Sequence, residues 1–197
     1  MISKETIMES AFAIFARNGI KGVSMDDIAR ELKISKKTLY GYFSGKRQLS
    51  YQTFEYKYSA LLDRIEKIVT CVPNPLIAFV FSVVENIRFS CAIEAESLKE
   101  IRENEYLRPF FYSAKPKVDS LSKELMDRVV ENGYIQSSKS NEIVIALLKE
   151  QLKDVYSFRE AEVFPTALCL DTVITILMGV CTPAGREVLE ELKTNYT

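Results

Sequence analysis

Residues 24–46, SMDDIARELKISKKTLYGYFSGK, constrain the fold more than any other stretch. Met25, Ile28, Ala29 and Leu32 recur at helical spacing. Ser24 is a good N-cap, and Asp26 and Asp27 fall in the first turn, where the helix dipole favours negative charge. A second start follows at once. Ser35 caps a segment with Leu39 and Phe43 on its apolar side and Lys36, Lys37 and Thr38 in its outward first turn. Lys33 and Ile34 leave almost no room between the two helices. This spacing predicts a helix-turn-helix, whose second helix enters the major groove by its N-terminal residues.

The charge pattern agrees. No acidic residue occurs from Leu32 to Phe54, while Lys33, Lys36, Lys37, Lys46 and Arg47 fall inside that window. Ser35, Thr38, Tyr40 and Tyr42 interleave hydroxyls that reach phosphate oxygens in such motifs. The plainer alternative is a solvated basic face on an ordinary helical hairpin. Residues 1–50 carry nine Lys and Arg against five Asp and Glu, a net +4, whereas the whole chain is −1. A basic head on an acidic body suits a protein that presents one end to nucleic acid.

Beyond the bare motif, the first fifty or so residues resemble the DNA-binding domain of the TetR (tetracycline repressor) family of transcriptional regulators. The matching pieces are Ala11-Phe12 with Phe15-Ala16-Arg17-Asn18-Gly19, then Val23 through Ala29, Ile34 through Tyr40, Tyr42-Phe43, Lys46 and Leu49. The resemblance implies an all-α fold, with an N-terminal three-helix DNA-binding domain followed by a helical ligand-binding and dimerisation domain. It implies a homodimer on double-stranded DNA, acting by default as a repressor and released by a small-molecule effector. Lys36, Lys37, Thr38 and Tyr42 are then assigned to the recognition surface. Ser24, Ser35, Tyr40 and Lys46 are assigned to positioning on the DNA. One departure stands out: the family usually has a glycine in the turn, where this chain has Lys33. A left-handed backbone there costs a lysine roughly 1–2 kcal/mol.

At 197 residues the chain can build a sizeable core without staples. Periodicity predicts a first helix over 3–18, carrying Ile7, Ala11, Ile14 and Phe15 on one face. A long helix follows over about 46–70, then a very apolar one over 76–103. Residues 104–114 are aromatic and interrupted by Pro109. Further helices are expected over 115–132, 141–158, 166–181 and 183–193. The expected organisation is a head at 1–46, a linking helix at 47–70 and a regulatory body at 71–197.

Within that body, Glu85 and Arg88 lie at i,i+3 and are expected to pair, as a solvated stripe or as a charged anchor. Phe89, Tyr106, Phe110, Phe111, Tyr112 and Tyr156 come from different helices, and with that pair they outline a candidate pocket for a largely apolar effector. Plain core is the alternative. By the resemblance, the last two major helices form the dimer interface, with Ile143 and Leu147 on the first and Ile174 and Leu177 on the second. The alternative is that both stripes are intramolecular core.

Other classes find little support. The chain has no histidine, no G-x-S-x-G elbow and no glycine-rich phosphate loop, so catalysis is not expected. Cys71, Cys91, Cys169 and Cys181 form no C-x-x-C pair and are expected as buried, reduced thiols with no metal and no cofactor. No targeting segment is visible, and the apolar run at 76–84 is too short to span a bilayer. A cytoplasmic protein without membrane contact is the expectation. The remaining alternative is an interaction protein that uses the basic head on an acidic protein partner.

Overall fold

The computed structural model describes residues 2–136, 143 and 166–196. Helices supply the architecture of these residues, joined by turns and one isolated antiparallel bridge between Ile135 and Cys181. They are α1 Lys4–Asn18, α2 Met25–Glu31, α3 Lys36–Tyr42, α4 Lys46–Cys71, α5 Pro75–Cys91, α6 Ala95–Glu103, α7 Arg108–Glu131, α8 Thr166–Met178 and α9 Pro183–Tyr196. The expected helix over 141–158, with Leu147 and Tyr156, lies outside the described residues apart from Ile143.

The chain forms two compact units, Met1–Leu62 with Ala92–Pro116, and Asp63–Cys91 with Lys117–Thr197. The expected cuts at 46 and 70 fall at the ends of α4, but the units divide that helix internally. They also give the first unit a second piece of chain.

The first unit holds the helix-turn-helix. Ile7, Ala11 and Phe15 of α1, Ile28 of α2, Leu39 of α3, Phe43, and Leu49 of α4 are fully buried. Phe54 of α4 stands edge-on to Phe12 and stacked on Phe15. Each such side chain stabilises the unit by about 1.5–3 kcal/mol on burial.

The expected single helix over 76–103 is two helices. Its break at residues 92–94 has a tertiary cause. Ile93 turns inward and is buried, and the Glu94 N–H donates to the Ala16 carbonyl at the end of α1. That contact replaces helix continuation and brings α6 onto the head. Pro109 likewise begins a helix where an interruption was expected. It occupies the first turn of α7, where a missing N–H costs nothing. The helix then runs through Pro116 in place of starting there.

In the second unit, the Asn74 side chain caps α5 by accepting from the Leu76 and Ile77 N–H groups. Thr182 caps α9 by accepting from the Gly185 N–H. The core gathers Phe79, Val80 and Val84 of α5, Val129 of α7, Val173, Ile174 and Leu177 of α8, and Leu189 of α9. Ile174 and Leu177 therefore belong to this chain's own core, against α5 and α9, and the expectation that they line a dimer interface is corrected. Outward on α8 lies Leu168, an exposed large apolar residue like Ile143. Among the described residues no helix is long and apolar enough to cross a membrane.

Candidate nucleic-acid interface

The sequence builds α2 and α3 from their caps. Ser24 accepts from the Asp27 N–H at 3.2 Å, and the Asp27 carboxylate accepts from the Ser24 N–H at 3.0 Å, a complete capping box. The Ser24 hydroxyl, then its backbone N–H, holds the Asp27 carboxyl below the usual carboxylate range. Ser35 accepts from the Thr38 N–H at 3.0 Å and shares a hydroxyl–hydroxyl bond with Thr38 at 2.8 Å. Both serines assigned to DNA positioning are thus engaged in starting helices.

Between the caps, α2 ends in a Schellman motif. The Ile34 N–H bonds to the Ala29 carbonyl and the Lys33 N–H to the Arg30 carbonyl. This geometry requires a left-handed residue at 33, and Lys33 adopts φ 53°. It is the one non-glycine residue with positive φ among the described residues. Lys33 thus bears the left-handed backbone cost that a glycine would avoid.

Lys36, Lys37, Thr38 and Tyr40 are exposed along α3, and Tyr40 keeps half of its surface open, unusual for so large an aromatic residue. Lys36 forms an ion pair with Asp26 across the motif. Both partners are solvent-facing, so the pair is worth at most about 1 kcal/mol and yields readily to a competing anion. The Tyr42 hydroxyl donates to the Ile2 carbonyl at 2.7 Å. Lys46 is placed differently from its assignment. Its ammonium donates to the Ile20 carbonyl at 3.0 Å and the Val23 carbonyl at 2.9 Å, closing the loop between α1 and α2.

Sequence reasoning missed one contributor. Glu100 of α6 accepts from the Lys21 N–H at 2.7 Å, in the same loop. Nothing local in the sequence marks Glu100, because its partner is a backbone group far away along the chain.

The assigned pocket residues divide between the units. In the second, Glu85 takes Arg88 and Arg64 at 2.9 Å each, so the expected i,i+3 pair forms and gains a third member; Phe89 belongs to the same unit. In the first, Tyr106 lies under the Arg47 guanidinium at 4.4 Å, and Phe110 meets the edges of Tyr51 and Tyr58. The side chains of Phe111 and Tyr112 and all of Tyr156 lie outside the described residues.

Residues 7–50 match the model for bacterial regulatory proteins of the tetR family. The whole fold agrees. A TetR-family transcriptional regulator from Marinobacter aquaeolei superposes with a TM-score of 0.74 at 20% identity, over 100% of this chain and 99% of that one. Residues 7–50 form a tetR-family helix-turn-helix domain.

Two further likenesses accompany it. The HTH-type transcriptional repressor SCO4008 of Streptomyces coelicolor is 40% identical over 55 residues, 28% of this chain and 29% of that protein. AibR, in its structure with isovaleryl coenzyme A and operator DNA, gives a TM-score of 0.66 at 18% identity, over 89% of this chain and 96% of that chain. At such identities the structural likeness establishes the fold. The chain spans roughly a third or less of the length of the curated relatives it matches.

Proposed function

We propose that this TetR-family chain is a homodimeric transcriptional repressor that holds a palindromic operator until a small, largely apolar effector releases it. The observation that carries the reading is the first turn of α3. Lys36, Lys37 and Thr38 stand exposed on a rigidly capped helix, in a window of 23 residues without one acidic side chain. Lys37 and Thr38 are the base-reading candidates, with Tyr40 and Tyr42 beside them. Lys36 joins when phosphate displaces Asp26. Ser24 and Ser35 present helix starts to the backbone and keep their hydroxyls for the caps.

One head covers few base pairs, so specificity calls for two. Heads reading successive major grooves on one face lie about 34–36 Å apart. Ile143 and Leu168, apolar and exposed, are the described residues best suited to a subunit contact. Release by an effector requires that it bind two dimer geometries with different affinity. AibR, of the same fold, has been seen with an acyl-coenzyme A and operator DNA, which supports an effector for this chain without identifying it. The Phe110 cluster, with Tyr51 and Tyr58 around it in the first unit, is the candidate apolar site.

Selection from a pool of random duplexes, followed by sequencing of the bound fraction, tests the reading. A two-fold repeat is expected, and Lys37→Ala should weaken binding by about 1–3 kcal/mol and relax one position in each half-site. Enrichment of no sequence, or a single unrepeated half-site bound by a monomer, would sink it.

A further inference from the structure

The strained turn carries the next step. Lys33 sits at the left-handed position of the Schellman motif, where a glycine carries no steric penalty. Strain held at one residue points to use of its side chain. Lys33 is exposed, and among the described residues no carboxylate pairs with it. Two other lysines of the motif are committed, Lys36 to Asp26 and Lys46 to two carbonyls.

We propose that the Lys33 ammonium, on the turn between α2 and α3, is a DNA-phosphate contact of this chain. The placement follows from chain geometry. Lys33 precedes Lys36 by three residues, so their α-carbons are at most about 11 Å apart, and a lysine side chain adds several ångströms of reach. With the first turn of α3 in a major groove about 12 Å wide, the groove-edge phosphates fall within that reach. A point charge on a flexible stem suits a phosphate and reads no base. The contact would add affinity without specificity. A plainer role exists, since a cation just beyond α2 also interacts favourably with that helix's C-terminal dipole. That role predicts no effect on DNA.

This inference rests on the reading of α3 as the recognition helix, and the experiment separates the two. The full chain is titrated onto a duplex it has selected, and onto an unrelated duplex, across a salt series. Each lost phosphate contact flattens the slope of log K against log salt by about 0.9, or about 1.8 for a dimer. Lys33→Gly should flatten the slope by that amount on both duplexes and weaken binding at 0.1 M salt by roughly tenfold per site. It should melt no lower than the parent. Lys33→Gln, which keeps the strain and removes the charge, should flatten the slope equally, and Lys33→Arg should leave it unchanged. Parental slopes for Lys33→Gly and Lys33→Gln, with Lys37→Ala still losing specificity, overturn this inference and spare the functional reading. A parent protein that prefers no duplex overturns both.

Discussion

The Glu100 carboxylate occupies the space that a side chain on Gly19 would need: a β-carbon built on Gly19 would lie 2.2 Å from its Oε2. Gly19 also has φ +70°, a conformation that side chains disfavour. Gly19→Ala therefore meets two costs, strain of roughly 1–2 kcal/mol and displacement of Glu100 from the Lys21 N–H, worth about 1.5–3 kcal/mol. Removing Glu100 first should cancel the second cost. Urea denaturation of Gly19→Ala, Glu100→Ala and the double variant should give a coupling of about 1.5–3 kcal/mol, the lost Glu100 bond counted once. Simple additivity would show that the carboxylate does not matter to the turn.

Lys46 should behave as a fastener. Its ammonium is half-buried on two carbonyls, and charge-assisted bonds of that kind are worth about 1.5–3 kcal/mol. Lys46→Met should lower the melting temperature by several degrees and leave the salt slope of DNA binding at the parental value. A flattened slope with an unchanged melting temperature would place Lys46 on phosphate instead.

The two faces of α8 should respond differently to charge. Leu177 is fully buried, so Leu177→Glu should unfold the second unit, at a cost of about 4 kcal/mol or more. Leu168→Glu with Ile143→Glu touches exposed positions and should leave circular dichroism unchanged while shifting sedimentation from dimer to monomer. A folded dimer carrying both changes would move the subunit contact elsewhere.

Thiol labelling should rank the cysteines. Burial pushes the Cys169 thiol up to about 12, with Cys91 nearby adding to the shift, and burial pushes Cys181 up to about 11. At pH 8 these two should resist a thiolate-selective reagent until the protein unfolds. Cys71 is exposed, contrary to the expectation of four buried thiols, and should label first. Mass spectrometry of partly labelled protein checks the order.

Acid should loosen the start of α2. The depressed Asp27 value means that its capping contribution is complete above the ordinary aspartate value, about 3.9, and fades as pH falls through the lower folded value. The stability difference between the parent and Asp27→Asn should thus be constant from pH 5 to 7 and shrink below pH 4. A difference that persists at pH 2 would assign the box to something other than the ionised carboxylate.

Much of the head is legible in the chain because its decisions are local. Ser24 and Ser35 cap within three residues, and Ile7 to Phe15 repeat at helical spacing. What escapes is decided by distant partners. Nothing near Glu94 foretells that its N–H leaves the helix for Ala16. In α8, TALCLDTVITILM, apolar residues surround the axis, so spacing alone does not say whether Leu177 or Leu168 turns toward the chain's own core. Lys46 carries the right charge in the right window, and only the positions of the Ile20 and Val23 carbonyls show where that charge is used.

Because the first unit is assembled from Met1–Leu62 and Ala92–Pro116, the helix-turn-helix of this chain is not a portable module. A chimera that transplants residues 1–50 onto a foreign body would inherit every lysine of the helix-turn-helix. It would leave behind Ile93, Glu100, Ile101 and Leu107, which complete the unit from later in the sequence. Recombination by a single crossover after the helix-turn-helix therefore separates that motif from part of its own scaffold. Swapping heads with new specificities onto this body calls for two exchanged segments, with the loop at Gly19 to Lys21 and the α6 segment drawn from the same parent.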